Sequence, residues 1–113
     1  MKKINRLAIA VFIIGVIFSA CKKDEDKNDT PGTNEVFIQN MAFNPSTITV
    51  VPHTTVTWTN KESTTHTVTS NTGVFNSGNL GKDSMFTFTF DSAGTYNYHC
   101  SIHSSMTAKV VVQ

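Results

Sequence analysis

Met85-Phe86-Thr87-Phe88-Thr89-Phe90 alternates without a break. Three phenylalanines fall on one side of an extended chain, and Met85, Thr87 and Thr89 fall on the other. A helix, with its period of 3.6, cannot gather these three rings on one face; a strand, with its period of two, does so automatically. The same grammar recurs through the second half of the chain. Thr, Val, Phe and Tyr dominate short runs that turn residues interrupt about every ten positions. The predicted strands are Val36–Asn40, Ser46–Val51, Thr55–Asn60, His66–Ser70, Met85–Phe90, Thr95–Cys100 and Ala108–Val112. Asn44-Pro45, Asn71-Thr72-Gly73, Ser77-Gly78-Asn79 and Ser92-Ala93-Gly94 mark turns between them. Seven such strands with almost no helical periodicity predict an all-β sandwich with Trp58 and the phenylalanine row in its core.

One loop in this scaffold carries chemistry. Tyr96, Tyr98 and Cys100 share the inward face of their strand, while His99 points the other way. Cys100, His103 and Met106 then follow at intervals of three between two predicted strands. A loop this tight can aim a thiolate, an imidazole and a thioether at one point. His66, in Thr64-Thr65-His66-Thr67-Val68, can add a second imidazole from a distant part of the chain. Thiolate and thioether suit Cu(I) and imidazole tolerates Cu(II), so two His, one Cys and a weak axial Met suit a copper site that changes oxidation state. His53 and His99 read as surface residues, and Glu62, close to His66 in sequence, reads as a turn residue. No phosphate-binding loop, dinucleotide fingerprint, Ser/His/Asp arrangement or paired catalytic carboxylates occur, which argues against an enzyme.

The N-terminal third has a different character. Lys2, Lys3 and Arg6 precede an apolar run from Leu7 to Phe18, and small residues Ser19-Ala20 stand before Cys21. This is the layout of an export signal, and its apolar run is too short to span a bilayer comfortably. Lys22 to Asn34 contains no large apolar residue and reads as a flexible tether. It would reach at most about 45 Å when extended and roughly 20 Å as a coil. The expected organisation is a signal peptide at 1–20, a tether at 21–34 and one domain at 35–113. The domain's charges nearly balance, with Glu35, Glu62, Asp83 and Asp91 against Lys61, Lys82 and Lys109. No basic patch suggests nucleic acid.

Two resemblances sharpen these expectations. Phe18-Ser19-Ala20-Cys21 resembles a bacterial lipoprotein cleavage box, with Phe18 in place of the usual Leu. That resemblance implies lipidation of Cys21 and a domain anchored to a membrane of the cell envelope, outside the cytoplasm. The domain itself resembles the cupredoxins of the plastocyanin, pseudoazurin and amicyanin group over essentially all of residues 35–113. The matching stretches are Met41-Ala42-Phe43-Asn44-Pro45, Thr55-Val56-Thr57-Trp58-Thr59-Asn60, His66-Thr67-Val68, Phe75-Asn76-Ser77-Gly78 and Gly94-Thr95-Tyr96-Asn97-Tyr98-His99-Cys100. The two-residue gaps on either side of His103 resemble the short ligand loop of amicyanins.

These likenesses imply a Greek-key β-sandwich of seven to eight strands holding one type 1 copper through His66, Cys100, His103 and Met106. They imply a monomeric electron carrier whose redox partner proteins dock near His103. Thr67 stands where such proteins commonly have the Asn that ties down the Cys loop, which leaves that tie unassigned. Ile102 stands in place of a frequent Pro. Copper delivery by a binding module and a metal-free interaction domain are the competing expectations.

Overall fold

The computed structural model describes residues 30–113. The signal segment, Cys21 and the tether as far as residue 29 lie outside the described residues. Eight strands form two four-stranded sheets: β1 (Glu35–Gln39), β2 (Ala42–Asn44), β3 (Thr47–Val50), β4 (Thr54–Asn60), β5 (Thr69–Ser70), β6 (Met85–Phe90), β7 (Gly94–His99) and β8 (Thr107–Val112). One sheet has the order β2-β1-β4-β6 and the other β3-β8-β7-β5. β1 runs parallel to β4 and β3 parallel to β8, while the remaining neighbours are antiparallel. The expected all-β sandwich is therefore the observed fold. Folded structure begins slightly before Glu35, because the Thr57 amide donates to the Asn34 carbonyl at 3.0 Å and the Gly32 amide to Glu35 Oε1 at 2.7 Å.

Two differences from the predicted strands have local causes. β2 was not expected; it follows Asn40 and Met41, both at positive φ, which fold the chain back to pair antiparallel with β1. The predicted strand at 66–70 is reduced to Thr69–Ser70. His66 instead makes an isolated bridge with Leu80, and the Val68 amide donates to the Ser77 hydroxyl at 2.8 Å.

The core lies between the sheets and is centred on Trp58, which is fully buried. Its ring centroid lies 5.8 Å from Phe75, 5.6 Å from Phe86 and 5.6 Å from Tyr98. The indole Nε1–H donates to the Tyr98 hydroxyl at 3.0 Å and so ties β4 of one sheet to β7 of the other. Burial pushes the Tyr98 phenol far above its ordinary range, with the Trp58 hydrogen bond pulling the other way, so Tyr98 stays neutral. Two residues beyond this anchor the same strand delivers Cys100. The packing that unites the sheets therefore also fixes where the thiol emerges.

Candidate metal centre

β7 ends at His99, and Cys100 follows with its side chain fully buried. The loop closes on itself before β8. The Cys100 amide donates to the Met106 carbonyl at 3.0 Å, and the Met106 amide donates to the His103 carbonyl at 2.9 Å. This backbone closure turns His103 back over the thiol while Met106 enters the core, 5% exposed. His66 arrives on the segment leading into β5, the neighbour of β7, and is held by two backbone hydrogen bonds with Leu80 at 2.7 and 3.1 Å.

The three donors converge. His66 Nδ1 and His103 Nδ1 each lie 3.7 Å from Cys100 Sγ, the two rings are 5.0 Å apart, and all three donor atoms lie within 4.8 Å of one another. Bonds of about 2.0 Å to nitrogen and about 2.3 Å to sulfur, opened to roughly 110–120°, put N and S about 3.5–3.7 Å apart. The spacing of this cluster therefore fits one transition-metal ion held by all three. His66 is fully buried, whereas His103 is half-buried and flanked by exposed Ile102, Ser104 and Ser105. One ligand position thus belongs to the interior and the other to the edge. The fold brings three of the four expected ligands together and puts Met106 at the buried end of the same loop.

Further residues complete the surroundings. Glu62, expected to be a turn residue, places Oε2 3.3 Å from His66 Nε2 and accepts the Met41 amide at 2.9 Å on the same oxygen. An imidazole whose outer nitrogen donates to a carboxylate is fixed in tautomer and orientation, leaving Nδ1 free to bind metal. Asn60, fully buried, makes this possible. Its amide donates to the carbonyls of Thr64 and Leu80 at 2.8 Å each, and its Oδ1 accepts the Glu62 amide at 3.0 Å. The available signal was an Asn at a strand end followed two residues later by an acid four positions before a histidine. Glu62→Gln should remove charge from beside the ligand while preserving size. Metal affinity should fall about 10- to 100-fold, and metal titration against a competing chelator measures it.

The tie left unassigned at Thr67 is present. Its hydroxyl accepts the Ser101 amide at 2.7 Å, and its own amide points at Cys100 Sγ at 3.4 Å. His53 and His99 lie away from the cluster, as expected. His53 Nδ1 faces Asp91 at 3.1 Å on the surface, and His99 Nδ1 faces Asn71 Oδ1 at 2.6 Å.

A β-sandwich that gathers one buried thiol and two imidazoles at the end of one strand defines a class of small metal-binding β-proteins. The cupredoxin-like domain family matches residues 8–112, and the chain belongs to that family. It is 37% identical over 87 residues to the amicyanin of Paracoccus denitrificans, covering 73% of this chain and 66% of that protein. It is 31% identical over 111 residues to the amicyanin-alpha of Methylorubrum extorquens, covering 94% and 93% of the two chains. Among solved structures, a Cu(I) form of an amicyanin variant superposes with a TM-score of 0.67 at 34% identity, over 70% of this chain and 80% of that one. A purple cupredoxin from Nitrosopumilus maritimus superposes with a TM-score of 0.65 at 29% identity, over 70% and 98%.

Proposed function

We propose that this protein is a single-electron carrier in which His66, Cys100 and His103 would hold one copper ion, with the Met106 thioether as a further, weaker donor. The observation that carries this reading is the approach of two imidazole Nδ1 atoms to one buried thiol at 3.7 Å each. Copper bound there supplies the one-electron Cu(I)/Cu(II) couple. The soft Cys100 sulfur suits the reduced ion, the imidazoles suit the oxidised one, and neither set dominates. His66, locked by Leu80 and Glu62, resists rearrangement when the charge changes. His103, at the edge, gives a redox partner its shortest approach to the site. The Cu(I) relatives support copper over zinc, as does the soft sulfur-rich donor set. The cupredoxin-like family match supports an electron carrier over an enzyme.

The proposal extends to location. Cys21 becomes the lipidated N-terminus of an exported, monomeric protein, and the tether lets the domain turn towards partner proteins from a membrane of the bacterial envelope. Mass spectrometry of the mature chain should find a diacylated Cys21, and Cys21→Ser should abolish membrane partitioning. An unmodified chain starting elsewhere would refute the anchor.

Met106 should tune the site more than it holds the ion. Met106→Leu should retain copper and raise the reduction potential, whereas Met106→Gln should lower it. Voltammetry that finds both variants unchanged would remove Met106 from the ligand set. The test of electron carriage is reversible voltammetry with fast self-exchange, together with slow copper loss to a chelator. Rapid copper surrender with sluggish self-exchange would favour copper delivery instead.

A further inference from the structure

We propose that the free edge of β6 pairs with β6 of a second copy of this chain, antiparallel and around a two-fold axis at Thr87. The two sheets have four edges, and three of them are short: β2, β3 and β5 have 3, 4 and 2 residues. β6 has 6, Met85-Phe86-Thr87-Phe88-Thr89-Phe90, with no charge, proline or bulge in its register with β4. Sheet edges are ordinarily blunted by shortness or by one of those devices, because an open row of N–H and C=O groups recruits another strand. The bonds on either side of β4 show which groups β6 leaves open. The Thr57 amide donates to the Asn34 carbonyl on the β1 side, and the Asn60 amide to the Ser84 carbonyl on the β6 side. Even-numbered residues of β4 therefore face β6, and the register pairs them with Phe86, Phe88 and Phe90. The backbone groups of Met85, Thr87 and Thr89 point away from β4, and among the described residues no other backbone group bonds to them.

This edge is complementary to itself. With Thr87 opposite Thr87 of the second copy, Met85 meets Thr89 and Thr89 meets Met85. In each pair the bonding groups face each other, so every open N–H and C=O from Met85 to Thr89 finds a partner. The side chains sort as well, because opposed residues share parity: the exposed Met85, Thr87 and Thr89 stay together on the outer face. Phe86 meets Phe88 on the inner face. Both rings are only half-buried at the open edge, whereas Phe90 is 1% exposed, and two cross-strand aromatic pairs cover them. The contact uses the same patch on both copies, so the pair closes and leaves no further β6 edge. Because the strands run antiparallel, the two metal centres lie at opposite ends of the paired sheet. Each end of the ladder sets Lys82 and Asp83 of one copy near Asp91 of the other. With two acids to one base these ends oppose association, so the dilute chain is monomeric and pairing takes a raised local concentration.

Amide hydrogen exchange of the wild-type full chain, followed as its concentration is raised, tests the pairing. The amides of Met85, Thr87 and Thr89 should exchange fast when dilute and slow at least about tenfold when concentrated, while those of Phe86, Phe88 and Phe90 stay protected throughout. A cysteine at the axis locates the contact. In a Cys21→Ser chain, whose Cys100 is buried, Thr87→Cys should form a disulfide-linked dimer on mild oxidation. The two Cα atoms of a directly opposed, hydrogen-bonded pair lie about 5.5 Å apart, within disulfide reach. Thr55→Cys, on the same outer face one strand inward, should stay monomeric. Thr87→Lys should set two like charges on the axis and abolish the concentration dependence, with copper binding unchanged. Met85, Thr87 and Thr89 amides that exchange equally fast at every concentration would overturn the proposal, as would dimers that form equally fast from Thr55→Cys.

Discussion

Replacing Cys100 by serine should abolish both the intense visible absorption of the copper-loaded protein and the stability that copper confers. The thiolate is the one donor that can give a strong sulfur-to-copper charge transfer, and it is the atom both imidazoles face. A serine hydroxyl of similar size fills the buried position but remains protonated and hard, so it neither colours Cu(II) nor holds Cu(I) well. Metal that binds only the folded state stabilises it by RT ln(1 + [L]/Kd), about 4 kcal/mol at a thousandfold excess over Kd. The wild-type denaturation midpoint should therefore rise on copper loading and return when a chelator strips the metal. Cys100→Ser should show neither change while its metal-free midpoint stays close to that of wild type. A serine variant that kept the band, or gained as much stability from copper, would show that the metal sits elsewhere.

Trp58→Ala should be the most damaging single change to the scaffold, costing about 3–5 kcal/mol. The indole is fully buried, faces Phe75, Phe86, Phe90 and Tyr98 from within 6.4 Å, and donates across the sandwich to Tyr98. Its loss leaves a large void and removes the Tyr98 hydroxyl's buried donor. Net stabilities of about 5–15 kcal/mol make this a large fraction of the total for a domain of this size. Because Tyr98 stands two residues before Cys100, copper affinity should fall along with stability. Copper added in excess should recover part of the lost midpoint. Urea denaturation with and without copper measures both effects; a loss below about 1 kcal/mol would mean that the core does not depend on the indole.

The elements most legible in the sequence were those whose information is local. Phe86, Phe88 and Phe90 announce a half-buried strand because alternation over six residues has no helical equivalent. Cys100, His103 and Met106 announce a metal loop because three soft or borderline donors lie within seven residues. What the sequence concealed depends on contacts between distant segments. β2 is three residues long, too short for alternation to register, and its pairing follows from the backbone at Asn40 and Met41. The parallel pairings β1/β4 and β3/β8 leave no local trace. Residues 66–68 carry strand-forming side chains, yet Leu80 and Ser77 take their backbone bonds one at a time. Glu62 read as a turn residue because its role requires Asn60 to fold residues 60–64 back towards His66. Thr67 left its tie unassigned because a hydroxyl takes over by a different route, through Ser101 and Thr69.

The central claim is that one copper ion binds between His66, His103 and the Cys100 thiolate. Its most direct test is the visible absorption and electron paramagnetic resonance of the full chain titrated with Cu(II). The expected result is one copper per chain, an intense visible thiolate-to-copper band that saturates at that ratio, and loss of both signals on reduction with recovery on reoxidation. A protein that stays colourless with copper bound, or whose resonance is that of Cu(II) held by nitrogen and oxygen alone, would contradict it.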